Sequence, residues 1–116
     1  MQIKTENIDE IVIVSLNTET LDTNNSKEFK NLMAPIIQNH SQIVLDLGAM
    51  NFVDSSGLGA ILSCLRQINA KGGDLKLFGM NNKVRTLFEL VRMHRIFEIF
   101  NTKEAVIKAF SQGTRK

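Results

Sequence analysis

Residues 43–47 read Ile43-Val44-Leu45-Asp46-Leu47. The run is too short for a helix, nearly continuous in apolar side chains and β-branched at its start. That is the pattern of a strand buried on both faces, as found where helices pack over a largely parallel sheet. On its C-terminal side, Leu58, Ile61, Leu62, Leu65 and Ile68 recur at the three- and four-residue spacing of one helical face. That stripe stops at Lys71-Gly72-Gly73, where glycine readily takes the left-handed cap conformation. Leu75-Lys76-Leu77-Phe78-Gly79 gives another strand, and Val84, Leu87, Phe88 and Val91 give a third helical stripe with Asn81 or Asn82 as its cap. A short strand over residues 96–100 follows. Asn101 then caps a terminal helix, with Glu104 at the third position and Val106 and Phe110 facing inward. Residues 111–116 read as a frayed tail.

Toward the N-terminus, Phe29, Leu32, Met33, Ile36 and Ile37 form the first helical stripe. Asn25 and Glu28 match a capping pair, and Pro35, lacking a backbone donor, predicts a kink or break in the second half. Ile3-Lys4-Thr5 and the run from Ile11 to Leu16, separated by Asn7 and Asp9-Glu10, read as a β-hairpin. The expected order is therefore β-β-α-β-α-β-α-β-α. It describes an α/β domain with largely parallel strands, right-handed crossovers and an antiparallel hairpin at one side.

Composition narrows the function classes. A chain of 116 residues suits one domain, 1–116. With 43% hydrophobic and 22% charged residues it should fold unaided. A net charge of +2 is too weak and dispersed to argue for nucleic-acid binding. A single cysteine, Cys64, excludes an internal disulfide and sits on the apolar face of the second helix, which suits a buried thiol in a reducing compartment. The N-terminus has no basic segment followed by an apolar run, and no stretch reaches the ~20 apolar residues of a membrane span, so a cytoplasmic protein without membrane contact is expected. His40 and His94 lie far apart with no ligand at metal spacing, so neither a metal nor another cofactor is expected. Ser55 and Ser56 lack the Gly-x-Ser-x-Gly elbow, and Gly57-Leu58-Gly59 is too short for a phosphate-binding loop, which argues against an enzyme. Lys83, Arg85, Arg92 and Arg95 make a basic surface that is either a solvated face or a contact for an acidic partner.

One segment carries chemistry beyond folding: Phe52-Val53-Asp54-Ser55-Ser56-Gly57-Leu58-Gly59, between the buried strand and the second helix. Asp54 and the serines can accept hydrogen bonds from the unpaired amides of the first turn, an ordinary capping role. Gly57 and Gly59 are harder to explain, because glycine in the early turns of a helix costs roughly 0.5–1 kcal/mol relative to alanine. A phosphate on a hydroxyl here would face the positive end of a helix, so the fold would tolerate it. Spacing alone does not choose between Ser55 and Ser56.

This motif, the preceding strand, the connecting Met50-Asn51-Phe52, the Leu21-Asp22 pair and the order of elements resemble the STAS domain in its single-domain form, the anti-sigma factor antagonists of sporulation and general stress response. The loop before Leu21-Asp22, Asn17-Thr18-Glu19-Thr20, lacks the glycine usual in that family. The resemblance implies that Ser55 is phosphorylated by a serine kinase of the histidine-kinase-like ATPase type, itself the anti-sigma factor, and dephosphorylated by a PP2C-type phosphatase. It implies that the unphosphorylated protein captures the kinase and that the phosphorylated one releases it; a monomer is expected. It assigns Asp22, Asp54, Ser56, Gly57 and Gly59 to partner contact, although Asp22 also suits a turn. The alternative within the same fold is a constitutive assembly subunit that is never phosphorylated.

Overall fold

A computed structural model describes residues 1–113, with side chains through Ser111. Strands β1 (Gln2–Ile8) and β2 (Ile11–Asn17) form the N-terminal hairpin, closed at Asp9 with φ 54°. Helix α1 (Ser26–Asn39) leads to β4 (Gln42–Asp46), and α2 (Ser55–Ala70) to β6 (Asp74–Phe78). Helix α3 (Asn82–Leu90), a 3-10 turn (Met93–Arg95), β7 (Ile99–Phe100) and α4 (Lys103–Gly113) complete the chain. Two further strands of two residues each, β3 (Thr20–Leu21) and β5 (Phe52–Val53), lie in the connections.

The main sheet runs β1-β2-β4-β6-β7, with β1 antiparallel to β2 and every other neighbour parallel. This is the expected mixed α/β sheet. Strand alternation sorts the core into two layers. Val12, Val14 and Leu16 of β2, Ile43 and Leu45 of β4, and Leu75 and Leu77 of β6 face α1, α2 and α3. Ile11, Ile13 and Val44 face the other way, against Val106 and Phe110 of α4. Because both faces are covered, the central strands read as apolar runs without alternation.

Burial of this kind stabilises by roughly 1.5–3 kcal/mol per large side chain. Phe29, Met33, Ile43, Leu45, Ile61 and Phe88 are all fully inaccessible. One charge is buried with them. Lys76, on the α4 face of β6, is compensated by Asp74 at 2.9 Å, by Glu98 and by the Phe110 ring 4.8 Å from its Nζ. A buried ammonium needs such partners to remain charged.

Several local expectations are corrected. Helix α1 runs unbroken through Pro35, because the proline is exposed while Phe29, Met33 and Ile37 hold both halves to the core. Asn25 makes no side-chain cap to α1; its Oδ1 accepts from the Asp22 amide instead. The cap of α3 is Asn81, whose Oδ1 accepts from the Val84 amide at 2.9 Å. Val91 lies beyond that helix and is exposed, because Arg92 turns the chain left-handed at φ 63°. Ile96 is also exposed and only Ile99–Phe100 of the last segment pairs as strand, because the 3-10 turn takes up the residues before it. Helix α4 is capped by Thr102, whose Oγ1 accepts from the Ala105 amide, while Asn101 accepts from Arg85. Residues 111–113 continue α4 instead of fraying; 114–116 lie outside the described residues.

Candidate phosphoacceptor and docking site

The small second sheet brings the site together. Strands β3 and β5 pair in parallel, Thr20 with Phe52 and Leu21 with Val53. The amides of Asn51 and Phe52 donate to the Glu19 carbonyl at 2.7 and 3.2 Å, and the Asp54 amide donates to the Leu21 carbonyl at 3.2 Å. These bonds fasten β3 and the residue before it to the chain leading into α2, a contact between segments about thirty residues apart.

Asp54 is the N-cap of α2, in extended conformation, and its Oδ1 accepts from the Gly57 amide at 2.9 Å. Its Oδ2 accepts from both the amide and the hydroxyl of Thr23, at 3.2 and 3.3 Å. The Gly57 amide chiefly, then the Thr23 donors and the Ser56 amide, stabilise the carboxylate and hold Asp54 below its ordinary value of 3.8, against a smaller opposing effect of desolvation. Asp54 is therefore a fixed negative charge at neutral pH.

The two serines differ. Ser56 is half-buried, and its Oγ lies 3.1 Å from the Thr23 hydroxyl. Ser55, the first residue of α2, is exposed, and its hydroxyl forms no hydrogen bond among the described residues. The glycines differ as well. Gly57 is buried, and a Cβ there would collide with the Leu21 carbonyl oxygen and lie 2.7 Å from Val53 Cγ2. Its own chain fills the space that the missing side chain leaves. Gly59 is exposed, and a Cβ there would meet nothing within 4 Å. Asp22 is half-buried in the adjoining loop; its Oδ1 accepts from the Asn24 amide at 2.9 Å and its carbonyl from Ser26 at 2.8 Å, a turn-forming arrangement that makes no bond to Asp54 or the serines. Two further residues belong to this surface. Thr23 links Asp54 to Ser56, and Phe52 stands 47% exposed beside them. Phe52 lies in the motif between β4 and α2, whereas the pairing of Thr23 with Asp54 spans 31 residues and leaves no local signal.

Residues 2–106 match the family model of the STAS domain. The chain belongs to the STAS domain family. An anti-sigma F factor antagonist of Paenibacillus polymyxa is 34% identical over 105 residues, 89% of each chain. Among crystal structures, a candidate anti-sigma factor antagonist of Thermotoga maritima superposes with a TM-score of 0.85 at 28% identity, covering 91% of this chain and 92% of that one. The anti-sigma factor antagonist SpoIIAA in its unphosphorylated form superposes with a TM-score of 0.69 at 20% identity over 97% of this chain and 99% of its own, a likeness of fold. SpoIIAA of Bacillus has also been determined in its phosphorylated form. In this STAS domain the remaining sequence candidates fall away from the Asp54 surface. Cys64 is buried in α2, and burial pushes its thiol up to about 12. His40 ends α1 and His94 is exposed in the 3-10 turn. Among the described residues, no group of three or more His, Cys, Asp or Glu converges, and no helix is long and apolar enough to cross a membrane.

Proposed function

We propose that this protein is an anti-sigma factor antagonist that works by partner switching, with Ser55 as the phosphoacceptor. The observation that carries the reading is the contrast between the serines: Ser55 is exposed with an uncommitted hydroxyl, whereas Ser56 is tied to Thr23. The anti-sigma factor antagonist names of the relatives, and the existence of SpoIIAA in both phosphorylation states, support it.

In this reading the protein is a cytoplasmic single domain. Its unphosphorylated form docks through Ser55, Asp54, Asp22 and the open face at Gly59 on a serine kinase of the histidine-kinase-like ATPase type that is itself the anti-sigma factor. In the kinase, the Ser55 Oγ attacks the γ-phosphorus of ATP, the bond to the leaving ADP oxygen breaks, and the hydroxyl proton passes to a base of the kinase. The phosphoryl group adds about −1.5 to −2 charge beside ionised Asp54 and must be desolvated in any contact surface. The helix N-terminus tolerates it, so the fold survives while the complex dissociates. A PP2C-type phosphatase hydrolyses the ester and restores the binding form.

Peptide mapping by mass spectrometry after incubation with the cognate kinase and ATP, on wild type, Ser55→Ala and Ser56→Ala, tests this directly. One phosphate that disappears only in Ser55→Ala is expected. A phosphate retained in Ser55→Ala would refute the assignment, and a stable kinase complex with no phosphate on any form would point to a constitutive assembly subunit.

A further inference from the structure

The corner that follows α3 is built around its own pair of buried anchors. Met93 and Phe97 turn into the core, the Phe97 ring edge-on to Phe88 at 6.2 Å between centroids. The same reversal turns Leu90, Val91 and Ile96 outward, 74%, 53% and 53% exposed. An isolated exposed apolar side chain is ordinary in a folded protein. Here, however, three of the four large exposed hydrophobics among the described residues fall within seven residues; the fourth is Phe52 at the Ser55 surface.

Charge gathers at the same place. Residues 82–96 carry Lys83, Arg85, Arg92 and Arg95 against Glu89 alone, although the whole chain nets only +2. Lys83, Arg92, His94 and Arg95 are exposed. The side chains of Lys83, Arg92 and Arg95 make no hydrogen bond or ion pair among the described residues.

Arg92 also occupies a costly backbone position. It stops α3 at φ 63°, ψ 22°. The equivalent left-handed stop after α2 is made by Gly72, at φ 85°. Glycine takes that conformation without strain and any residue with a Cβ does not. An arginine kept where glycine folds better is explained if its guanidinium is used.

We propose that Leu90, Val91 and Ile96, flanked by Arg92 and Arg95, form a second docking surface that takes an acidic amphipathic segment of a partner protein. The two arginines pair with carboxylates, Arg being suited to bidentate contact, while the three apolar side chains receive the apolar face of the segment. This surface is separate from Ser55. Asn81, at the start of α3, touches the Ser55 loop through Met50 and Asn51. The nine residues of α3 then place its C-terminal end about 13 Å along the helix axis from Asn81. A lipid surface is the poorer match, because interfacial helices lay a long apolar face into the bilayer. The apolar face of α3, Val84 and Phe88, is already committed to the core.

Fluorescence anisotropy tests the assignment with a labelled peptide of about four helical turns, Leu at positions i, i+3, i+4 and i+7 and Glu elsewhere. Controls are the same peptide with each Leu replaced by Ser, and phosphatidylglycerol vesicles. The Leu-containing peptide should bind, and Arg92→Gly and Leu90→Ser should each weaken it about tenfold. The urea midpoint of Arg92→Gly should be unchanged or raised, which separates lost contact from lost fold. Lys108→Gln, an equal loss of charge on α4, should leave binding intact. Equal affinity for the Ser-substituted peptide, full affinity in Arg92→Gly, an equal loss in Lys108→Gln, or binding to vesicles but not to peptide would each overturn the proposal.

Discussion

Helices α2 and α3 begin in the same way and do different things at that beginning. Each has an N-cap side chain whose Oδ1 accepts from the amide three residues on, at 2.9 Å: Asp54 for α2 and Asn81 for α3. Asn and Asp are about equally good caps. The difference lies in the second polar atom. Asn81 uses its amide nitrogen as a donor, reaching the Met50 carbonyl and Asn51 Oδ1 at 3.2 Å each, and so fastens one loop to a helix. Asp54 uses its second oxygen as an acceptor, collecting the amide and hydroxyl of Thr23. A neutral cap serves structure alone, whereas the charged cap sets a fixed anion beside an exposed, unbonded serine hydroxyl. The residue chemistry at one atom thus separates a helix start that is neutral from one that holds a charge beside a free-standing hydroxyl.

Gly57→Ala breaks this arrangement most severely. Its Cβ would run into the Leu21 carbonyl and Val53, backbone and β-branched side chain that cannot swing aside, so the loop from Thr20 to Asn25 must move off the start of α2. A loss of about 2–4 kcal/mol in urea unfolding is expected, at or above the usual range for overpacking. A loss under about 0.5 kcal/mol would show that the loop is not held as closely as the geometry states. Asn81→Ala comes next, at about 1–2 kcal/mol. It removes the α3 cap together with the bonds to residues 50–51, and faster amide exchange in that loop should accompany it.

The same residues separate what the chain encodes locally from what only the fold creates. The apolar run at residues 43–47 and the stripes of α2 and α3 carry their periodicity locally, so the parallel sheet and the order of its major elements were legible. Strands β3 and β5 were not, because two residues have no period and pair only when segments 32 residues apart, Thr20 and Phe52, are already adjacent. Pro35 misled because its effect depends on which way the helix faces; on the solvent side the buried Phe29, Met33 and Ile37 outweigh one missing bond. Asn25 and Asn101 had the composition of caps, yet each found a stronger partner, the Asp22 amide and Arg85. At the site, the Asp54-Ser55-Ser56 run stood out in the sequence as polar chemistry between two apolar elements. Thr23 did not, since only the fold makes it the link between Asp54 and Ser56. The contrast between Gly57 and Gly59 was likewise hidden, because a glycine's letter does not say whether its space is filled by its own chain.

That contrast supplies a smaller effect of opposite sign. Gly59→Ala adds a Cβ that meets nothing, in a helix interior where alanine is the better former. It should stabilise the protein by about 0.5–1 kcal/mol. If Gly59 belongs to the docking face, the same variant should bind the cognate kinase more weakly while unfolding at higher urea. Stabilisation with unchanged binding would confine the proposed docking surface to Ser55, Asp54 and Asp22.

The smallest effect at neutral pH is expected from Asp54→Asn, which gives α2 the kind of cap that α3 has. Asn still accepts from the Gly57 amide, so the cap survives. The nitrogen it brings in place of Oδ2 cannot accept from the Thr23 amide, so that amide should exchange faster while the global unfolding midpoint moves little. Acid separates the two proteins. The folded state holds Asp54 below 3.8, mainly through the Gly57 amide, so the proton binds more weakly in the folded than in the unfolded chain. The stabilising contribution of the carboxylate is thus present above 3.8 and fades as the pH falls through the lower folded value. Asn has no proton to take up and loses nothing there. Unfolding midpoints measured downward from pH 5 should therefore decline more steeply in wild type than in Asp54→Asn. Parallel declines would mean that the charge of Asp54 contributes nothing to the fold beyond what a neutral cap supplies.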